Sequence, residues 1–344
     1  MTAAPQLHAP EALEVHGLTK QFPVSGGRLF ARRGRVHAVD DVTFALRPGT
    51  ITALVGESGS GKSTVTRILA RLYEPTAGTI VFGGEDVARC TSRHDLLRYR
   101  SRVQMIFQDP FGSLNPVKTV RHHLARPLRI HRIFPGRQVE ERVHELLRTV
   151  GLVPPEEIAA KYPHELSGGQ RQRVAIARAL AVEPAVLLAD EPISMLDVSI
   201  RIGILNLMLK LKEERDLAFL YVTHDLASAR YVADEMLVMY AGQIVEHGPT
   251  EEVLQNPLHP YTRLLISAVP NPATGLQKQR IEKRKGLAAA AVDPRDGCRF
   301  VGRCPLAVGV CSQVTPVLVE ARLGHWARCH VTAPSDREAL HVER

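Results

Sequence analysis

Residues Gly56-Glu57-Ser58-Gly59-Ser60-Gly61-Lys62-Ser63 match the spacing G-x-x-x-x-G-K-S/T, and Thr64 follows directly. Small residues let the backbone curl so that successive N–H groups face inward onto an anion. A helix starting at Lys62 adds the positive end of its dipole. Lys62 supplies a mobile point charge for outer phosphate oxygens, and the Ser63 hydroxyl is a ligand for Mg²⁺. The plainer reading is an ordinary Gly-rich turn. Against it stands the position of the loop, between the apolar run Ile51–Val55 and a helical pattern from Lys62 to Leu72.

Two more stretches gain force beside that loop. Ala185-Val-Leu-Leu-Ala-Asp190-Glu191 is an apolar run ending in two carboxylates. Many strands end in charged turns, but beside a phosphate loop Asp190 suits Mg²⁺ and Glu191 suits polarising an attacking water. Leu166-Ser167-Gly168-Gly169-Gln170 opens a helix running to about Leu180. Its N–H groups form a second anion site, which a nucleotide already held by its own loop does not need. The arrangement makes sense if this site faces the γ-phosphate bound by another subunit.

The elements that must carry these residues alternate. Strands are expected at Ile51–Val55, Thr79–Phe82, Val103–Phe107, Ala185–Ala189, Ala218–Val222 and Glu235–Tyr240, with a helical stretch from Thr119 to Leu180 broken at Pro135-Gly136 and Pro154-Pro155. Buried apolar strands interleaved with helices imply an α/β fold built on a parallel sheet covered on both faces, with the helical stretch inserted into it. Beyond residue 250 prolines punctuate the chain, and a boundary is placed near residue 262, dividing 12–262 from a small extension at 263–344.

The chain has 344 residues, with 44 Lys+Arg against 36 Asp+Glu for a net charge of +8. That excess could serve nucleic acid or an anionic membrane surface, yet no long basic block stands out, and the runs Arg28 to Arg35 and Lys278 to Lys285 read as solvated loops. No stretch approaches the ~18–20 apolar residues a spanning helix needs. No secretory signal is visible, so a cytoplasmic protein is expected.

Taken together, these motifs resemble the ABC ATPase family. The phosphate loop, Gln108, the LSGGQ sequence, Asp190-Glu191, the segment Ser194–Asp197 and His224 occur in that family's order. The resemblance implies a P-loop NTPase (RecA-like) core with an antiparallel β subdomain and an inserted helical subdomain, binding ATP and Mg²⁺. By that resemblance Gln108 senses Mg²⁺ and the membrane partner, Asp197 lies across a dimer interface, His224 contacts the γ-phosphate and Phe22 stacks on adenine. Singly, His224 could be a loop histidine, Gln108 a surface glutamine and Phe22 simple packing. The family usually has Thr-Ser-Ala where this chain has Ile193-Ser194-Met195, a difference at the interface rather than among the catalytic groups. ATP would be held between the phosphate loop of one subunit and the signature helix of another, with Lys118 to Ile133 beside the membrane protein.

Asn256-Pro-Leu-His259-Pro260-Tyr261-Thr262, the insertion Gly26 to His37 and the cysteine-bearing tail resemble the oligopeptide/dipeptide/nickel importer branch. That implies a second, different ATPase subunit, two membrane permease subunits and an extracytoplasmic substrate-binding protein, with this chain on the cytoplasmic face of the membrane and no nucleic acid bound. A nickel or other small-solute importer, or a soluble ABC ATPase acting on nucleic acid or the ribosome, are the alternatives. Cys298, Cys304, Cys311 and Cys329 give C-x5-C-x6-C-x17-C. Four cysteines suit a 4Fe–4S cluster or Zn²⁺, the branch resemblance favouring iron, while unligated thiols are the third reading. Cys90 reads as a plain small residue.

Overall fold

The computed structural model describes residues 12–23, 34–136, 138–268 and 296–333. The insertion Gly26 to His37 falls mostly outside them, and the run Lys278 to Lys285 wholly so.

An eight-stranded sheet forms the centre. In spatial order its strands are Val319–Arg322, His325–Ala327, Gln243–Pro249, Glu235–Tyr240, Ile51–Val55, Ala218–Thr223, Val186–Asp190 and Val103–Ile106. The last five are parallel to one another and the first three join antiparallel. Every residue of Ile51–Val55 is buried because both faces of the sheet are covered. Successive side chains go to opposite sides: Ile51, Ala53 and Val55 join one core cluster and Leu54 the other. The strand thus ends, fully fixed, where the phosphate loop begins.

A second sheet is antiparallel, in the order Arg35–Leu46, Leu13–Pro23, Ala77–Phe82, Glu85–Asp86. It packs through Leu13, Val15, Leu18, Val42 and Phe44 onto the same core face as helix Lys62–Leu69. The inserted subdomain comprises helices Val120–His131, Gln138–Thr149, Pro155–Ala160 and Gly168–Leu180. Thr119 caps the first, its hydroxyl accepting from the His122 N–H at 3.4 Å. Val120, Leu124 and Leu128 stack along that helix, facing Val139, Val143, Leu146 and Leu147 of the next. Among the described residues no helix is long and apolar enough to cross a membrane.

The carboxyl-terminal region grows out of the sheet edge. Residues 296–333 contribute the hairpin Val319–Arg322/His325–Ala327, and Glu246 pairs with Ala327 across the ladder. The Glu246 carboxylate is wholly buried. It is satisfied by the N–H groups of Leu258 and His259, each at 2.8 Å, and by His325 Nε2 at 2.8 Å. His259 in turn caps helix Pro260–Ser267, its Nδ1 accepting from the Tyr261 N–H at 3.1 Å. Burial drives the His259 pKa down to about 4, so its ring is neutral.

Candidate active site

A strand that ends buried and a helix that starts at once leave the intervening loop a narrow path. Gly61 takes φ of 110°, and a Cβ there would collide with the Ala38 carbonyl. A Cβ on Gly56 would meet the Met239 carbonyl. Glycine is therefore required at both ends of the loop by the neighbouring strands. The Ser60 carbonyl accepts from the Gly242 N–H at 2.9 Å, and Gly242 accepts from the Asp40 N–H at 2.8 Å. The Lys62 ammonium donates to the carbonyls of Gly56 and Glu57, both at 2.8 Å, spanning the loop's mouth. Burial lowers the Lys62 pKa, and the carboxylates of Glu191, Asp190 and Glu57 oppose that shift.

Three strand ends converge opposite the loop. Asp190 terminates Val186–Asp190, and its carboxylate accepts from the Ser63 hydroxyl at 2.9 Å. Burial pushes the Asp190 carboxyl up, and the Ser63 hydrogen bond pulls it back. Glu191, one residue on, holds φ at 46°, in the left-handed region unusual for a side-chain-bearing residue and common at working sites. One oxygen of Glu191 accepts from Gln108 Nε2 at 2.9 Å and the other lies 3.1 Å from His224 Nδ1. Phe22, Ala38, the loop residues Gly56 to Gly59 and Gly61 to Thr64, Gln108, Glu191, His224 and Leu265 line one open cleft of about 750 Å³. Phe22 stands there partly exposed, edge-on to Tyr73 with ring centres 5.7 Å apart and with the Lys20 ammonium 5.2 Å from its ring centre.

This arrangement can bind a polyphosphate and activate water beside it. Ser63 Oγ and an Asp190 carboxylate oxygen lie 2.9 Å apart, Ser63 and Gln108 line the same cleft, and such oxygen donors fit a hard cation such as Mg²⁺. Glu191 is oriented by two side chains, as a base that must face one water should be.

Ser167, Gly168, Gly169, Gln170 and Asp197 do not line that cleft. Ser167 caps helix Gly168–Leu180 in a closed box: its Oγ accepts from the Gln170 N–H at 3.3 Å and its own N–H donates to Gln170 Oε1 at 3.0 Å. Gly169 packs against Ile200, in the first turn of the neighbouring helix Val198–Arg215. Ser167 and Asp197 are exposed.

Two contacts to the phosphate loop were not anticipated from the sequence. The Tyr261 hydroxyl accepts from the Glu57 N–H at 2.8 Å. Arg303 forms two parallel bonds to the Glu57 carboxylate, at 2.8 and 2.9 Å. Tyr261 lies in the Asn256–Thr262 stretch, which the sequence singled out for its resemblance and not for the cleft. Arg303 precedes Cys304, where attention fell on the thiol.

All of the cysteines are free. Burial raises the Cys298 thiol to about 11, and Cys311, Cys329 and Cys304 lie near enough to add to that rise. Among the described residues, however, no three His, Cys, Asp or Glu side chains are gathered as a metal-binding group.

Comparison with known proteins gives the same picture. The ABC transporter family model matches residues 39–194, and the model for the oligopeptide/dipeptide transporter C-terminal region matches 245–311. The oligopeptide transport ATP-binding protein AppF of Bacillus subtilis is 43% identical over 333 residues, 96% of this chain and 99% of that one. The dipeptide transport ATP-binding protein DppF of Haemophilus influenzae is 42% identical, over 92% of this chain and 95% of its own. Among solved structures, the ATP-binding cassette MJ0796, in a dimeric post-hydrolysis state with ADP and Pi, superimposes with a TM-score of 0.60 at 29% identity, covering 69% of this chain and 98% of that one. With the cleft, the fold and these relatives in agreement, the chain belongs to the ABC transporter family, as an ATP-binding ATPase subunit that carries the C-terminal region of the oligopeptide/dipeptide branch.

Proposed function

We propose that this subunit powers import of peptides through partner membrane subunits, working at the cytoplasmic face of the membrane. The supporting observation is that one chain joins a cleft lined by the phosphate loop, Gln108, Glu191 and His224 to a carboxyl-terminal region of oligopeptide/dipeptide type. Gly56 to Thr64 cradle the triphosphate, with Lys62 on its outer oxygens and Phe22 beneath the base. Ser63, Asp190 and Gln108 hold Mg²⁺, which when bound neutralises charge developing on the phosphate. Glu191 takes the proton of the attacking water, and His224 orients Glu191 and meets the terminal phosphate. Ser167, Gly168, Gly169, Gln170 and Asp197 act in trans on the nucleotide of a second cassette. Closure of two cassettes head to tail assembles each site and excludes other water.

The second cassette is a different chain, and two permease subunits with an extracytoplasmic binding protein complete the importer. The division near residue 262 separates the cassette from an extension whose Cys298, Cys304, Cys311 and Cys329 hold a 4Fe–4S cluster, with Zn²⁺ as the other candidate for four thiolates. Anaerobic purification with iron, sulfide and zinc analysis decides among cluster, zinc and bare thiols.

Deleting the gene for this chain in its own host should abolish uptake of a labelled oligopeptide. Intact peptide uptake with lost nickel uptake would move the cargo to the metal. The same tagged chain, drawn from a detergent extract, should bring membrane proteins and a second cassette; recovery of itself alone would sink the heterodimer.

A further inference from the structure

Ser58 and Gly59 of the phosphate loop are exposed. Glu57 is the loop residue held twice, by Tyr261 at the end of the cassette and by Arg303 of the extension. Its backbone N–H donates to Tyr261 Oη, and its carboxylate receives the Arg303 fork. Both donors and acceptors are satisfied, and the Arg303–Glu57 pair has the bidentate geometry that fixes orientation as well as distance.

The gripping residues are themselves fixed. Tyr261 is wholly buried and packs its ring 4.6 Å from that of Tyr240 and 5.6 Å from that of Phe300. Phe300 lies in the main core, 5.2 Å from Tyr240. The Arg303 guanidinium rests 5.7 Å from the ring centres of both Tyr240 and Phe300. Arg299, one turn before Arg303, bonds the Asp40 carboxylate and the Ala241 carbonyl. The Gly242 N–H holds the Ser60 carbonyl, and the Asp40 N–H in turn holds the Gly242 carbonyl. The short segment from Cys298 to Cys304 therefore meets the phosphate loop directly at Glu57, through Arg303, and indirectly at Ser60, through Arg299 and the Asp40–Gly242 bond. It carries two of the four tail cysteines.

We propose that Arg303 and Tyr261 are positioning residues for the phosphate loop, so that the cysteine-bearing extension, through Arg303, sets the affinity of the cassette for nucleotide. Neither touches nucleotide; both act through Glu57. Whatever orders the segment Cys298–Cys304 then favours the loop shape that binds phosphate, and loss of that order loosens it. The inference rests on the reading of Gly56 to Thr64 as the ATP site.

The test uses the full chain, with trinitrophenyl-ATP as the fluorescent probe. Arg303→Ala should raise its dissociation constant on the order of five- to tenfold, and Arg303→Lys should recover part of the loss. Tyr261→Phe, which keeps the ring and removes the acceptor, should weaken binding in the same direction. In a double-mutant cycle, Glu57→Gln with Arg303→Ala should bind no more weakly than the worse single variant, because both remove one contact. In the assembled importer, Arg303→Ala should raise KM for ATP and leave kcat within about twofold, whereas general unfolding would lower kcat in proportion to active protein. Parental affinity in both Arg303→Ala and Tyr261→Phe, or strict additivity in the cycle, overturns the proposal. Lys62→Ala is the separate control: if that variant still bound the probe at parental affinity, the ATP-site reading itself would fail, whatever Arg303 did.

Discussion

Glu191 brings together most of what the cleft can do. Its carboxylate is held between Gln108 and His224, so its direction is set before any water arrives. Lys62 shows the complementary economy: in the loop its charge is spent on the Gly56 and Glu57 carbonyls, groups it must release or share when phosphate enters. Lys62→Ala should therefore lower ATP affinity at least about tenfold, measured by equilibrium binding to the purified chain. Gly61→Ala tests the shape of the loop rather than its charge. With φ of 110° and the Ala38 carbonyl in the way, the new Cβ should abolish detectable binding while circular dichroism stays parental. These residues were legible in the sequence because the motif is contiguous and its chemistry depends on local backbone shape. Tyr261 and Arg303 were not, since they reach Glu57 across 204 and 246 positions, a distance at which no local pattern operates.

Elements were readable where burial leaves a periodic trace. Ile51–Val55 and Glu235–Tyr240 occur at the expected bounds, and the middle stretch is helical with breaks beside Pro135-Gly136 and Pro154-Pro155. Helix Arg93–Arg102 left no such trace because it buries only Tyr99. Strand Leu13–Pro23 was hidden by the irregular register with its neighbours, which disrupts simple alternation. The carboxyl-terminal hairpin joins the central sheet through two pairs, Glu246 with Ala327 and His247 with Trp326, too short a ladder to announce itself. At this scale two caps can be tested. Ser167→Ala removes the hydroxyl from a closed capping box and should cost about 1 kcal/mol in chemical unfolding. His259 caps its helix as a neutral ring with its folded pKa near 4, below the unfolded value. The unfolded chain therefore binds the proton first, and stability falls as pH drops from about 6.5 towards 4. His259→Asn, which can still accept from the Tyr261 N–H, should flatten the fall in melting temperature between pH 7 and 5. An unchanged slope would show that other groups dominate it.

At the scale of the whole molecule, the cleft and the signature helix stand apart. Phe22, the phosphate loop, Gln108, Glu191 and His224 meet in one cleft, while Ser167 to Gln170 and Asp197 stand outside it with Ser167 and Asp197 exposed. Two copies of a cassette placed head to tail would bring each outlying set onto the other's cleft. Ser167→Arg should accordingly spare ATP binding by the isolated chain and reduce hydrolysis by the assembled importer at least about tenfold, because a bulky side chain obstructs closure. Equal turnover in that assembly would count against the sandwich. The decisive measurement is ATP turnover and ATP binding, side by side, for the parent and Glu191→Gln in that assembly. Binding should be retained and turnover lowered by at least about a hundredfold, the range expected for loss of a general base. Hydrolysis at the parental rate by Glu191→Gln would contradict that role directly, for the water would then be activated elsewhere.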